Sequence, residues 1–197
     1  MKFIKYFLAT ILTLATLVFL SIKLKIIEFK VGSAKFEDKS SMQTIDNSAL
    51  QTIEAFVGQD QFVKYKGKAI FLNSWASWCP ACIKEFPALN SIGKSCAGDS
   101  NIACVSYCSD LQTITEVDSF KNSRNLQLTF EDVISKSGLR MSLRKLAVEQ
   151  LKISNVDTSL DLVPLNVIVD KLGNIVYYNS AISYEDTSKI LALLKGN

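Results

Sequence analysis

Apolar and polar positions divide this chain into a lysine-bracketed run followed by alternating short patterns. Residues 7–22 carry no charge, and their only polar side chains are Thr10, Thr13, Thr16 and Ser21. Lys2 and Lys5 stand before the run and Lys23 and Lys25 after it. Sixteen helical residues rise about 24 Å, and lysine stems at both ends make up the difference to a hydrocarbon layer of about 30 Å. Charge marks the two ends and leaves no polar face, which fits a membrane span better than a buried helix. A cleaved signal peptide would show small residues at an A-x-A-like site, whereas Lys23-Leu24-Lys25-Ile26-Ile27 follows. The expectation is an uncleaved anchor over 1–30, with cleavage as its alternative. Lysines on both flanks leave the orientation open.

Residues 31–47 are polar and read as a stalk. A domain is expected over 48–197. Its first stretch, 48–68, has apolar Leu50, Ile53, Phe56, Val57, Phe62, Val63 and Tyr65, and the spacing leaves helix or strand open. Residues 69–72 predict a strand. Ile83, Phe86, Leu89 and Ile92 recur at helical spacing. Residues 102–107 are apolar on both faces, as in a central strand. A helix over 111–123 and a short extended run at 126–130 follow. Leu139, Leu143, Leu146 and Ala147 predict a helix with Arg140, Arg144 and Lys145 facing out. Residues 163–170 predict a strand entered through Pro164, 171–174 a hairpin turn, 175–178 the returning strand, and 184–194 a closing helix. The order β–α–β–α, then β–β–α, predicts an α/β fold: a mixed central sheet flanked by helices.

Composition narrows the chemistry. The 197 residues leave room for one domain plus an extension, and 48% hydrophobic residues supply a core. A net charge of +3 on scattered lysines, with no basic stripe, argues against a nucleic-acid partner. There is no histidine. That removes Ser-His and Cys-His catalysis, histidine metal ligands and the C-x-x-C-H haem signature. The five cysteines are Cys79, Cys82, Cys96, Cys104 and Cys108, and their spacing does not match a four-thiolate zinc site. No metal and no cofactor are expected.

Cys79-Pro80-Ala81-Cys82 sits where the first strand ends and a helix begins. Two cysteines at i and i+3 in a first helical turn share a face and can close a disulfide. The helix N-terminus favours a thiolate, so Cys79 is the candidate nucleophile and Cys82 the resolving thiol. Pro80 suits the first helical position. Trp75 reads as core, and Trp78 as an apolar collar beside the pair on which a peptide packs. Cys104 and Cys108, on one strand, would be about 13 Å apart, too far to bridge. Cys104 reads as a buried thiol, and a bridge from Cys96 to Cys104 or Cys108 stays open.

Two blocks, GKAIFLNSWASWCPACIKEFPAL (67–89) and VPLNVIVDKLGNIV (163–176), resemble the thioredoxin superfamily, and specifically its membrane-anchored TlpA/ResA-like branch. The resemblance covers roughly 64–194. It implies a thioredoxin-like fold and a thiol–disulfide oxidoreductase, most simply a reductase of protein disulfides. It also implies a single-pass protein of the inner (cytoplasmic) membrane, N-terminus in, with its catalytic domain in the periplasm or another extracytoplasmic space. Val163 and a cis Pro164 would lie against the dithiol, with Val163, Trp78, Pro80 and Ala81 lining the substrate platform. Implied partners are protein disulfides, apocytochrome c among them, and a membrane thiol donor. A net oxidase or isomerase, and a Cu(I) metallochaperone using Cys79 and Cys82, are the alternatives. Asn73 stands where thioredoxins carry a buried aspartate, so Cys82 needs another proton acceptor. Glu85 is a candidate, although a surface glutamate paired with Lys84 or Lys94 is the preferred reading. The Pro-Ala dipeptide differs from Gly-Pro, so a thioredoxin-like potential does not carry over. Residues 131–162 exceed the minimal fold, either shaping partner choice or adding a surface helix.

Overall fold

The computed structural model describes residues 47–196. The anchor expected at 1–30 and all but the last residue of the expected stalk lie outside them. Among the described residues, no helix is long and apolar enough to cross a membrane.

The centre is β1 (Ala69–Trp75), buried along its whole length. It pairs in parallel with β2 (Ile102–Cys108), from Ala69 opposite Ile102 to Trp75 opposite Cys108. On its other side it pairs antiparallel with β4 (Leu165–Val169), Asn73 facing Asn166. β3 (Glu131–Val133) extends the sheet beside β2, and β5 (Ile175–Asn179) beside β4, for an order β3-β2-β1-β4-β5. A strand with both faces buried is continuously apolar, which is why AIFL and VIV stood out. The expected mixed α/β sheet is therefore present.

Alternation along β1 separates two cores. Phe71 and Trp75 face α3 (Pro80–Cys96) and α6 (Thr187–Lys195), meeting Phe86, Leu89, Ile92 and Ile190. Ile70 and Leu72 face α1 (Ser48–Val57) and α5 (Leu139–Gln150). The ambiguous 48–68 stretch is helical: α1, then the short α2 (Gln59–Phe62) and a 3-10 turn, Val63–Tyr65. Ala49, Ile53 and Val57 make one stripe, and Leu139, Leu143 and Ala147 make the stripe on α5 that α1 packs against. The remaining helix, α4 (Ile114–Ser123), opens with a Thr113–Glu116 capping box. At the hairpin, Asp170 accepts the Leu172 and Asn174 N–H groups, and Gly173 takes the positive φ of 92°.

The extended run at 126–130 forms no regular element, and β3 begins only at Glu131. The Asn90 side chain takes the run's backbone partners, donating to the Gln127 carbonyl at 2.8 Å and accepting the Thr129 N–H at 2.7 Å. The run lies directly on α3 at Gly93, where an added Cβ would be 2.2 Å from Thr129 Oγ1. One expectation needs correction: Arg140 and Arg144 do not face out. They are 8% and 2% exposed, because the segment at 160–162 covers them and uses them as hydrogen-bond donors. Lys145 is exposed, as predicted.

Candidate active site: the dithiol at the start of the third helix

β1 ends at Trp75, whose indole is fully buried and donates to Ser106 Oγ at 2.9 Å. The chain then turns, with the Cys79 N–H on the Ala76 carbonyl at 3.0 Å. Asp110, just beyond β2, holds that turn. It accepts the Ser77 N–H at 2.9 Å and the Ser77 hydroxyl. Burial opposes the Asp110 charge, but the Ser77 hydrogen bonds win and keep the carboxyl below its usual value. Asp110 also accepts from the Cys108 thiol at 3.2 Å. Burial, with that bond, pushes Cys108 up to about 12, so it stays protonated.

Cys79 is the N-cap of α3 and Pro80 its first residue. The expected pair is joined: Cys79 and Cys82 form a disulfide with their Cα atoms 5.4 Å apart. Cys79 Sγ accepts the Cys82 N–H at 3.1 Å. On reduction the same helix-end donor faces a Cys79 thiolate and stabilises it. Cys79 and Cys82 are 4% and 1% exposed, while Trp78 beside them is 67% exposed. Trp78 is thus a free apolar surface next to the sulfurs and not a cover over them. Ala81 is also exposed.

The Val163–Pro164 bond is cis. Ser74 pairs with Leu165, so Pro164 and Val163 run past the end of β1 from which the chain leaves for Cys79. Val163 packs against the buried cluster that contains both sulfurs. The segment before it is clamped by α5. Arg140 makes a two-pronged contact with the Asp161 carboxylate, each prong 2.6 Å. Arg144 donates to the Leu160 and Leu162 carbonyls at 3.0 and 3.4 Å.

Glu85 is where the structure departs furthest from the sequence reading. It is not a surface residue paired with Lys84 or Lys94. It is 3% exposed, on the buried face of α3 that also carries Cys82, Phe86 and Leu89, while both lysines point to solvent. Oε1 accepts the Ile182 N–H at 2.7 Å, and Oε2 accepts from Asn166 Nδ2 at 3.2 Å. Asn166 Oδ1 in turn accepts from Asn73 Nδ2 at 2.8 Å. Burial raises the Glu85 carboxyl to about 7, against the lowering pull of its two hydrogen bonds. A buried acid on the helix is thus linked to Asn73 through Asn166. Sequence reasoning missed Asn166 and Asp110. The available signal for Asn166 was a lone amide in an apolar strand, matched by Asn73 in another.

A sheet of this order, with an N-capping cysteine of a disulfide at the first strand–helix junction and a cis-proline beside it, is a thioredoxin-like arrangement. The Redoxin family profile matches residues 59–194. The chain belongs to the Redoxin family. Among curated relatives, the thioredoxin-like protein YneN of Bacillus subtilis is 29% identical over 108 residues, 55% of this chain and 54% of that protein. Sporulation thiol-disulfide oxidoreductase A, also of Bacillus subtilis, is 29% identical over 108 residues, 54% of this chain and 62% of its own length. These matches span only those shares of the relatives. A thiol:disulfide interchange protein of the thioredoxin family from Chlorobium tepidum TLS superposes with a TM-score of 0.51 at 20% identity, covering 67% of this chain and 83% of that one. That likeness shows the fold.

Proposed function

We propose that this protein is a thiol–disulfide oxidoreductase that reduces protein disulfides outside the cytoplasm, held to the inner membrane by residues 1–30. The observation that carries the chemistry is the Cys79–Cys82 disulfide at the N-terminus of α3, with the Cys82 N–H on Cys79 Sγ. Family membership and the names of the relatives support the reaction class. The lysine-bracketed run at 7–22 supports the anchor. The TlpA/ResA-like blocks support the extracytoplasmic side and the reducing direction.

In the reduced protein the Cys79 thiolate attacks a substrate disulfide. One substrate sulfur leaves as thiolate, and Cys79 is left in a mixed disulfide. Glu85, unprotonated in part near neutral pH, accepts the Cys82 proton. The Cys82 thiolate then attacks Cys79 Sγ and releases the second substrate thiol, closing the disulfide seen here. Two electrons have passed to the substrate, and a membrane thiol donor restores the dithiol. Trp78 and the backbone at Val163 receive the substrate segment, with Pro164 shaping its edge. Apocytochrome c is a substrate suggested by the family resemblance.

The test is a Cys82→Ser chain expressed in its native membrane. It should accumulate mixed disulfides on Cys79, and their masses identify the partners. Absence of any covalent partner would count heavily against exchange chemistry. Tight stoichiometric Cu(I) binding without thiol exchange would favour the metallochaperone. A strongly oxidising potential of the Cys79–Cys82 couple would reverse the proposed direction.

A further inference from the structure

A second pair of thiols meets at the other end of α3. Cys96 is the last residue of that helix. It stands sixteen positions after Pro80, a rise of about 24 Å. Cys104 lies in β2, opposite Phe71 of β1. Strand alternation sends Ala103 and Val105 to the core under α1 and α5, and leaves Cys104 packed against the core that holds Cys96. Each thiol perturbs the other's ionisation, which makes the two neighbours. Both also line a cavity of about 360 Å³, whose walls include Lys68, Lys94 and Thr129. The third free cysteine takes no part. Cys108 sits at the opposite end of β2, beside Trp75, and is bonded to Asp110.

We propose that Cys96 and Cys104 form a second dithiol, oxidised to a disulfide by small-molecule disulfides that reach it through this cavity. The neighbouring Cys104, aided by Lys195, draws Cys96 below the usual thiol range, while Cys96 and desolvation push Cys104 up. Cys96, the thiol beside Lys195, attacks. Its thiolate breaks the S–S bond of a disulfide RSSR, one RS⁻ leaves and takes up the proton Cys96 has lost, and a Cys96–SR mixed disulfide remains. Cys104 gives up its proton and attacks Cys96 Sγ, and the second RS⁻ leaves as RSH. Two cysteine thiols are oxidised and one RSSR is reduced to two RSH. The closed ring ties the end of α3 to β2. No part of the step passes through Cys79 or Cys82, so the pair stands or falls apart from the proposed function.

The experiment treats the reduced full chain with glutathione disulfide, alkylates the remaining thiols, and digests with trypsin plus a protease cleaving before aspartate. Asp99 and Asp110 then separate Cys96 from Cys104 and Cys108. Peptide 95–98 should appear joined to 99–109 in most chains, with Cys108 alkylated. A Cys104→Ser chain should instead retain glutathione on Cys96, having no second thiol to release it. The proposal is overturned if both cysteines are recovered alkylated after Cys79 and Cys82 have fully oxidised. It is equally overturned if Cys104 is found joined to Cys108. The wild-type map decides the question even if the serine variant does not fold.

Discussion

Replacing Glu85 by Gln removes a titrating group while keeping the side chain's shape. The buried carboxyl is raised from an ordinary 4.5 to about 7, so the fold binds its proton more tightly than the unfolded chain does. At 1.36 kcal/mol per pH unit that difference is about 3 kcal/mol, an order-of-magnitude figure for a buried group. The sign follows from linkage. Because the folded value is the higher one, this stability is fully present below pH 4.5 and is lost as pH rises through about 7. Gln carries no such dependence. The amide is accommodated by reversing its polar chain, since Asn73 Oδ1 has no hydrogen-bond partner and can accept from a turned Asn166. Denaturant unfolding of the oxidised protein at pH 4.5 and pH 8 gives the wild-type-minus-variant difference, which should change by about 3 kcal/mol in favour of Gln at the higher pH. Kinetics read the same group. Resolution of a preformed Cys79 mixed disulfide should speed up through pH 7 in the wild type. In the variant it should be about 100-fold slower at pH 8, with the inflection gone. A stability difference independent of pH would refute the buried, titrating Glu85. A slower reaction that keeps its inflection would assign the proton to another group.

Other substitutions probe the supports of the site. Arg144→Ala strips two carbonyls of their charged donor and should cost about 2–3 kcal/mol in unfolding free energy. It should also raise KM for protein disulfides several-fold without changing the rate with a small-molecule disulfide, and Lys should restore part of the loss. Asp110→Asn should cost no more than about 1 kcal/mol, because Asp110 is exposed and water screens it. Its folded carboxyl value is depressed, so that cost should be present at neutral pH and vanish on acidification below the ordinary 3.8, as acid unfolding curves would show. Gly93→Ala places a Cβ 2.2 Å from Thr129 Oγ1 and should lower stability by about 1–3 kcal/mol, measured as a fall in unfolding midpoint.

Local pattern and local chemistry were legible in the sequence. The strand before Cys79, the helical spacing after it and the Asp170–Asn174 hairpin each depend on neighbours a few residues away, and each stands where it was expected. Pairing across the sheet was not legible. Beside Lys84 and on a helix with other polar residues, Glu85 looks like a surface residue. Its burial follows from Asn166 and Ile182, 81 and 97 residues distant. Arg140 and Arg144 misled for the same reason, since their partners are carbonyl and carboxylate groups on a loop with no periodicity. The apolar 126–130 run has strand composition, but the Asn90 side chain and Gly93 hold it against a helix, and neither preference is visible from the run itself. Spacing left either Cys104 or Cys108 as a neighbour of Cys96, whereas of the two only Cys104 shares a cavity wall with it, and all three are free thiols.

Direct reaction of the reduced full-length protein with a small disulfide-bonded protein tests the central claim. Two substrate thiols should appear for each Cys79–Cys82 disulfide formed, through a transient adduct on Cys79, and Cys79→Ser should abolish both products. Release of no thiols, or an adduct that forms on Cys82 and not on Cys79, would contradict it.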